Sequence, residues 1–571
     1  MSRSASAVSL SLLRIVRSAK HVQHPSRLSL IRHASQRALA ESASSRNEND
    51  NRLEQSGVVA KTEGSAANHN ASGSTAGGRV PSTGSSAADA VITTLIGLAA
   101  VFFGGIAYVS WYKKNVLDKI ELAFARGYDP ALEVASSAKA QNNSDKDERG
   151  AANSIHMQHM RRQEQDLVDN IIGGREAGQY FMLLGCKGTG KGTMILDAMQ
   201  GIQAEGVAVC DAHPNLEVFR LRLGRALNYE FNEDTQTGLF QRRDPREGGA
   251  ALDIERALSK LEKVALRYAC RTGRPLVLVL NNIHFFNNDD DGRNMLLQLQ
   301  QRAESWAAGG ILTMVFSTDD FWPFLVMRKV ASRMQVVSVR DLSLQDAIHA
   351  SAHMRLSARD EAADPAMVRE AVSVVGGRLS YLSRVSRAQD MRSCAHDMLA
   401  VEKAWLQSQI GLIPDCDDDV MDEQKWSSCS WLLLREFVRQ REEDERARDE
   451  AIASGMLDPG EATQELPLPK IPYYKCRQIM TRTDFLEDLD RANIIAIDTS
   501  HDVMPDSVLL LHAAKAVVEE EGFGELLDNV RARVDEIESL HRTRELTFKD
   551  VNAGDRIWLS VDKGGSLSVD R

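Results

Sequence analysis

Tyr180-Phe-Met-Leu-Leu-Gly-Cys-Lys-Gly-Thr-Gly-Lys-Gly-Thr193 is the stretch that decides the fold of this chain. A short apolar run ends at Gly185, a glycine-rich loop follows, and Met194-Ile-Leu-Asp-Ala-Met199 has helical composition. The order is strand, loop, helix. Gly185, Gly188 and Gly190 let the backbone curl so that successive N–H groups point inward at an anion. Lys191 adds a point charge, and the new helix turns its positive end toward the same place. A loop built this way is expected to cradle phosphate.

The spacing Gly185-xxxx-Gly190-Lys191 is that of a Walker A loop. Gly192 stands where Ser or Thr is usual, and Thr193 comes one position later. Gly185, Cys186, Lys187, Gly188, Thr189, Gly190, Lys191, Gly192 and Thr193 are therefore the residues expected to hold a nucleotide such as ATP. Working outward, Gly206 to Asp211 reads as a second strand and Asn215 to Tyr229 as a helix. A long helix over Leu252 to Cys270 leads into Pro275-Leu-Val-Leu-Val-Leu280, a run apolar enough to be buried on both faces of a parallel sheet. Met295 to Ala307 is helical, Gly310 to Thr318 is another buried strand, and Gln335 to Val339 closes the series. Strands alternating with helices predict an α/β fold with a doubly wound parallel sheet.

A phosphate-loop enzyme normally places an acid at the tip of a neighbouring strand, to hold the magnesium shell and prime water. Here that tip reads Asn281-Asn282. Asparagine can offer a carbonyl oxygen to Mg2+ or its waters, but it carries no charge and accepts no proton. Asp289, Asp290 and Asp291 are placed to cap the next helix instead. Binding is favoured over hydrolysis. Ser317 and Thr318 end the following strand, where a hydroxyl either touches the terminal phosphate or caps the strand. Arg333 reads equally as a solvated surface arginine and as one reaching a neighbouring subunit's nucleotide. Gly376-Gly-Arg378 ends one helix and starts another, as in a small helical lid with an arginine over the nucleotide.

The flanking regions set the location. Residues 1 to 40 carry Arg3, Arg14, Arg17, Lys20, Arg27, Arg32 and Arg37 with many serines and no acid, the signature of a mitochondrial transit peptide. Residues 41 to 89 read as a disordered linker. Ala90 to Tyr112 carries no charge, which is enough to cross a hydrocarbon layer of ~30 Å as a helix. Trp111 and Tyr112, then Lys113 and Lys114, mark its boundary. With a presequence upstream, the membrane is expected to be the mitochondrial inner one; the two lysines favour a matrix C-terminal side, whereas a span that halts import leaves that side in the intermembrane space. Residues 113 to 153 read as a juxtamembrane amphipathic helix and polar linker. A net charge of -11 argues against a generic nucleic-acid coat. The seven cysteines lie far apart, like free thiols and unlike a disulfide framework or zinc site.

Taken together, the loop Gly185 to Thr193, the strand Leu276 to Asn282, Ser317/Thr318, Arg333 and Gly376-Gly-Arg378 resemble an AAA+ ATPase, closest to its STAND and origin-recognition-like branch. The Gly-Gly-Arg-Leu string after a presequence and single span also resembles the fungal mitochondrial escape protein family, inner-membrane proteins linked to mitochondrial DNA maintenance. The AAA+ likeness implies a sheet over residues 154 to 342, a helical lid over 343 to 400, and a module that oligomerises or switches with ATP. It implies that Lys191 and Thr193 meet phosphate and magnesium, that Asn281 and Asn282 fill the Walker B positions, with Asn281 toward the metal, and that Ser317 or Thr318 is sensor 1. It further implies Arg333 as arginine finger and Arg378 as sensor 2. Residues 401 to 571 read as a winged-helix-like domain; Asp484, Glu487, Asp488 and Asp490 make its recognition helix acidic, which favours a protein partner over duplex DNA. Two other readings remain: an adenylate-kinase-like phosphotransferase, since Gly190-Lys-Gly-Thr193 also ends such loops, and a scaffold that has lost nucleotide.

Overall fold

Apolar strands bounded by turn residues build the centre of the molecule. In the computed structural model, β1 (Tyr180–Leu184), β2 (Val207–Asp211), β3 (Leu276–Asn281), β4 (Leu312–Thr318) and β5 (Met334–Ser338) form one parallel sheet in the order β2-β3-β4-β1-β5. Residues 86–128, 161–231, 249–359, 364–454, 466–544, 558–561 and 567–570 are described. The expected presequence, the linker up to residue 85 and the linker 136 to 153 lie outside them.

Side chains alternate across the sheet, as the two-residue period of a strand requires. Tyr180, Met182, Leu278, Leu280, Met314 and Phe316 fill one face. Phe181, Leu183, Val277, Val279 and Val315 fill the other. The first face is covered by α4 (Leu216–Ala226), α5 (Gly249–Thr272) and α6 (Asp290–Gly309). The second is covered by α2 (Gln165–Ile172) and α3 (Lys191–Ile202). The chain leaves β1 for the far edge and returns to pair β4 beside it, so the carboxyl ends of β1 and β4 flank the crevice where doubly wound sheets bind ligands.

α1 (Ser86–Ala123) is one helix of 38 residues, long and apolar enough by length and composition to cross a membrane. It runs on without interruption through the juxtamembrane residues, because Lys113 to Leu122 offers no Gly or Pro to stop a helix. Its apolar stretch is exposed, but Val116, Ile120 and Phe124 are buried in the core beneath β2 and α5. Each such side chain contributes about 1.5–3 kcal/mol. The nearby exposed pair Arg267–Asp118, 3.2 Å apart, is worth about 0–1 kcal/mol, so packing fixes this end of the helix.

After β4 comes α7 (Trp322–Arg328), and after β5 the lid: α8 (Leu344–Arg359), α9 (Pro365–Val375), α10 (Leu379–Arg387) and α11 (Met391–Gln409). Gly377 is required between α9 and α10, since a Cβ there would lie 1.9 Å from the Leu342 carbonyl oxygen. The remainder comprises α12 (Met421–Ala453), β6 (Ile471–Pro472), α13 (Tyr473–Met480), α14 (Thr483–Arg491), β7 (Ile495–Ile497), β8 (Asp502–Pro505), α15 (Val508–Val518) and α16 (Phe523–Arg544). β6, β8 and β7 form an antiparallel sheet behind the helices, which is the winged-helix arrangement. The final hairpin is β9 (Trp558–Val561) with β10 (Leu567–Asp570). Gln165 is the first helical residue of α2 among the described residues, and the apolar run from Val508 is helical, capped by Ser507 accepting from the Leu510 N–H at 3.2 Å.

Candidate nucleotide site

The loop after β1 closes on itself before it meets anything else. Thr189 Oγ1 donates to the Cys186 carbonyl at 2.9 Å. Gly188 and Gly190 take φ of 84° and 102°, a region costly for any residue with a Cβ. A Cβ at Gly188 would also fall 2.3 Å from Ser380 Oγ, and one at Gly190 2.8 Å from Leu379. The Ser380 N–H donates to the Gly188 carbonyl at 3.2 Å. The first turn of α10 therefore lies directly on the phosphate loop.

Lys191 is buried inside this loop. Its Nζ donates to the carbonyls of Gly185 at 2.6 Å and Cys186 at 2.9 Å, and it lies 2.7 Å from Asp319 Oδ1. Asp319 follows β4, and Leu184 is in register with Thr318, so strand pairing delivers that carboxylate to the mouth of the loop. His284, in the short turn after β3, accepts from the Asp319 N–H through Nδ1 at 3.1 Å, and its Nε2 stands 3.8 Å from Asp319 Oδ2. Burial lowers the His284 pKa, with Asp319 opposing, so the imidazole is neutral near pH 7.

Beside the loop lies a cavity of about 600 Å³, a volume suited to a small ligand. Thr193 and Met194 of α3, Arg162 from the segment before α2, and His349 and His353 of α8 line it. Arg162 donates Nη1 to the Arg340 carbonyl at 2.8 Å, while its buried Nε and Nη2 have no protein partner. A Cβ at Gly192 would meet nothing within 4 Å, so the helix end is open where a hydroxyl is usual.

The other expected residues separate into two groups. Asn281 donates to Asp211 Oδ1 at 2.9 Å, joining strand tips that the β2–β3 register places side by side. Asn282 adopts φ 55° and starts the turn that brings His284 back, a conformation asparagine tolerates. Asp289 caps α6 through the Gly292 N–H at 2.7 Å, and so does not fold back to the loop. Thr318 donates its hydroxyl to the Asp320 carbonyl at 2.8 Å and thus closes the strand end; Ser317 is buried beside it. Arg333 is exposed near the start of β1, with the Tyr180 N–H on its carbonyl, at the edge of the sheet opposite the loop. It does not join its own chain's site.

Arg378 does reach the site, but its guanidinium is engaged. Nε lies 3.2 Å from Asp341 Oδ1, and Nη1 and Nη2 bond the carboxylate and carbonyl of Asp506 from the C-terminal domain. Burial works against its charge, but Asp506 and Asp341 outweigh burial and hold it protonated. Cys186 of the loop and Asp506 line the same cleft, so this carboxylate stands between lid and loop. Nearby, Asp490 of α14 accepts the Phe321 N–H at 2.7 Å. Burial pushes Asp490 up, and burial with Asp319 pushes Asp320 up to about 7.

Asp319, His284, Arg162 and Asp506 were absent from the expected set. The signal for Asp319 was present as two consecutive acids after Ser317-Thr318; nothing local pointed to Asp506, which arrives from 128 residues beyond Arg378.

Residues 407–538 match the family described as fungal AAA protein, C-terminal winged helix domain. Similar solved structures include a Walker-type ATPase of Pyrococcus abyssi, 12% identical, covering 62% of this chain and 95% of that one at a TM-score of 0.37. Cdc6p of Pyrobaculum aerophilum is 12% identical over 67% of this chain and 97% of its own, TM-score 0.28. The ORC2 protein of Aeropyrum pernix, in ADPNP–ADP complexes, is 13% identical over 67% and 95%, TM-score 0.32. Among curated proteins none matches. The phosphate loop, the order of the parallel strands and the matched C-terminal domain make this an AAA+ P-loop NTPase.

Proposed function

We propose that this AAA+ P-loop NTPase is an ATP-binding switch of the mitochondrial inner membrane, anchored by α1, in which nucleotide sets how the C-terminal domain sits on the core. One observation carries the reading: Asp506 of the C-terminal domain is held by Arg378, and the helix that Arg378 starts bonds the phosphate loop through the Ser380 N–H on the Gly188 carbonyl. Anything that re-engages Arg378 or reshapes the loop must alter the grip on the C-terminal domain.

The residues present fit ATP. The glycine cradle, the adjoining cavity and the two unpartnered nitrogens of Arg162 are complementary to a polyanion joined to a ribose and base. Among the described residues no group of three His, Cys, Asp or Glu side chains could hold a metal alone. A magnesium ion here would therefore ride on the phosphates, as it does in nucleotide sites, with Thr193 within the lining. Bound ATP would supply a terminal phosphate whose charge the lid can detect. Lys191 would bind it, the loop N–H groups would orient it, and α10 would keep water out.

Hydrolysis is expected to be weak. Asn281 is tied to Asp211, and neither it nor Asn282 can accept a proton. The phosphotransferase reading gains nothing from the region after β5, where lid helices and a further domain follow instead of closing the fold. A membrane partner and homo-oligomerisation complete the proposal; the exposed Asp484 and Asp488 leave α14 poorly suited to DNA.

Single-turnover mixing of excess protein with Mg-ATP tests the switch. Wild type should hold ATP for minutes with little product, and Asn282→Ala should behave alike. A fast wild-type burst abolished by Asn282→Ala would show a hydrolytic enzyme that positions water with an amide.

A further inference from the structure

We infer that Asp319 is the carboxylate of this site, holding Lys191 in one state and the magnesium shell of the nucleotide in the other. The inference rests on the nucleotide reading above and adds the residue that makes the site choose the metal complex.

The geometry supplies three steps. First, Lys191 has three donors, and all are used, on Gly185, Cys186 and Asp319. A phosphate can be held only if one is released, and the partner that a phosphate replaces in kind is the anion, Asp319. Second, the released carboxylate stays where it is. The Asp319 N–H is fixed on His284 Nδ1, the register of β1 with β4 fixes the strand tip, and Asp319 is mostly buried. Third, the acid is already at the loop. β4 is the neighbour of β1 in the sheet and its Asp319 touches Lys191, whereas Asn281 on β3 and Asp211 on β2 are tied to each other.

A fixed carboxylate beside a triphosphate is repulsive unless a divalent cation lies between them. Asp319 therefore penalises metal-free ATP and rewards Mg-ATP, since magnesium is bound through one or two carboxylates plus substrate phosphates. Asparagines at the β3 tip are tolerable because the charge has moved one strand inward.

The test is calorimetric titration of the full-length detergent-solubilised protein with ATP, in magnesium and in EDTA. Wild type should prefer Mg-ATP by roughly tenfold or more, the scale of one charge-assisted contact. Asp319→Asn should shrink that ratio toward one, with metal-free ATP binding more tightly than to wild type. Asp319→Glu should retain part of the preference, and Asp319→Ser gives a second neutral variant, each checked for wild-type near-ultraviolet circular dichroism. An unchanged ratio in folded Asp319→Asn and Asp319→Ser overturns this inference alone. Absence of binding by wild type in both buffers overturns the nucleotide reading and this inference with it.

Discussion

Gly192 is the residue at which this loop departs most from its kind, and the departure is reversible. A side chain there meets nothing within 4 Å, and glycine inside a helix costs roughly 0.5–1 kcal/mol relative to alanine. Gly192→Ser is predicted to keep the fold and to tighten Mg-ATP severalfold by adding a hydroxyl at the usual metal position; weaker Mg-ATP binding by calorimetry would contradict this. The loop was legible because its chemistry is local: spacing alone identifies Lys191 and the cradle. The acid was not, because a search after β3 assumes which strand carries it. Thr318 shows the reverse case, in which a hydroxyl in the right place is consumed by its own turn.

Between elements, charges buried at the joints carry the strongest predictions. Arg378 sits between α9 and α10 and binds Asp341 and Asp506. Arg378→Ala would leave buried carboxylates without a partner, a loss of about 3–5 kcal/mol that should lower the melting temperature by several degrees. A melting temperature equal to wild type would show that the cluster is not holding the lid to the C-terminal domain. The second joint pairs Asp320 after β4 with Asp490 on α14. Burial, then Asp319, raises Asp320 from 3.8 to about 7, with Arg491 and Lys191 opposing. A raised acid stabilises fully below the unfolded value and loses that benefit as pH climbs through the folded one. Wild type should therefore lose stability relative to Asp320→Asn as pH rises from about 4 to about 7. Melting curves for both proteins across that window measure the difference; a constant gap would refute the assignment. The helices and strands were readable from periodicity and apolar runs. These joints were not, because sequence pattern places Asp490 on a polar helix without revealing which protein surface covers it.

At the scale of the molecule, a long helix continues from an exposed apolar stretch into the core of the nucleotide domain. α1 should hold the chain in membranes after alkaline carbonate extraction, and replacing Leu95, Leu98 and Phe102 by lysine should release it. Carbonate-soluble wild type would refute a span. The architecture was legible from the alternation of strands and helices, and the long apolar helix from composition. That Val116, Ile120 and Phe124 bury themselves beneath the sheet was not, since an amphipathic turn reads the same whether it meets lipid, water or protein.

The central claim is that this loop binds ATP through Lys191 and that the bound nucleotide acts on the rest of the chain. Titration of Mg-ATP into wild type and Lys191→Ala tests it most directly. Removing a charge-assisted phosphate contact of about 1.5–3 kcal/mol should weaken binding roughly ten- to a hundredfold. Saturable heat from wild type, shifted by that factor in Lys191→Ala, is the predicted result. No heat from wild type, or the same affinity in both proteins, would contradict the account.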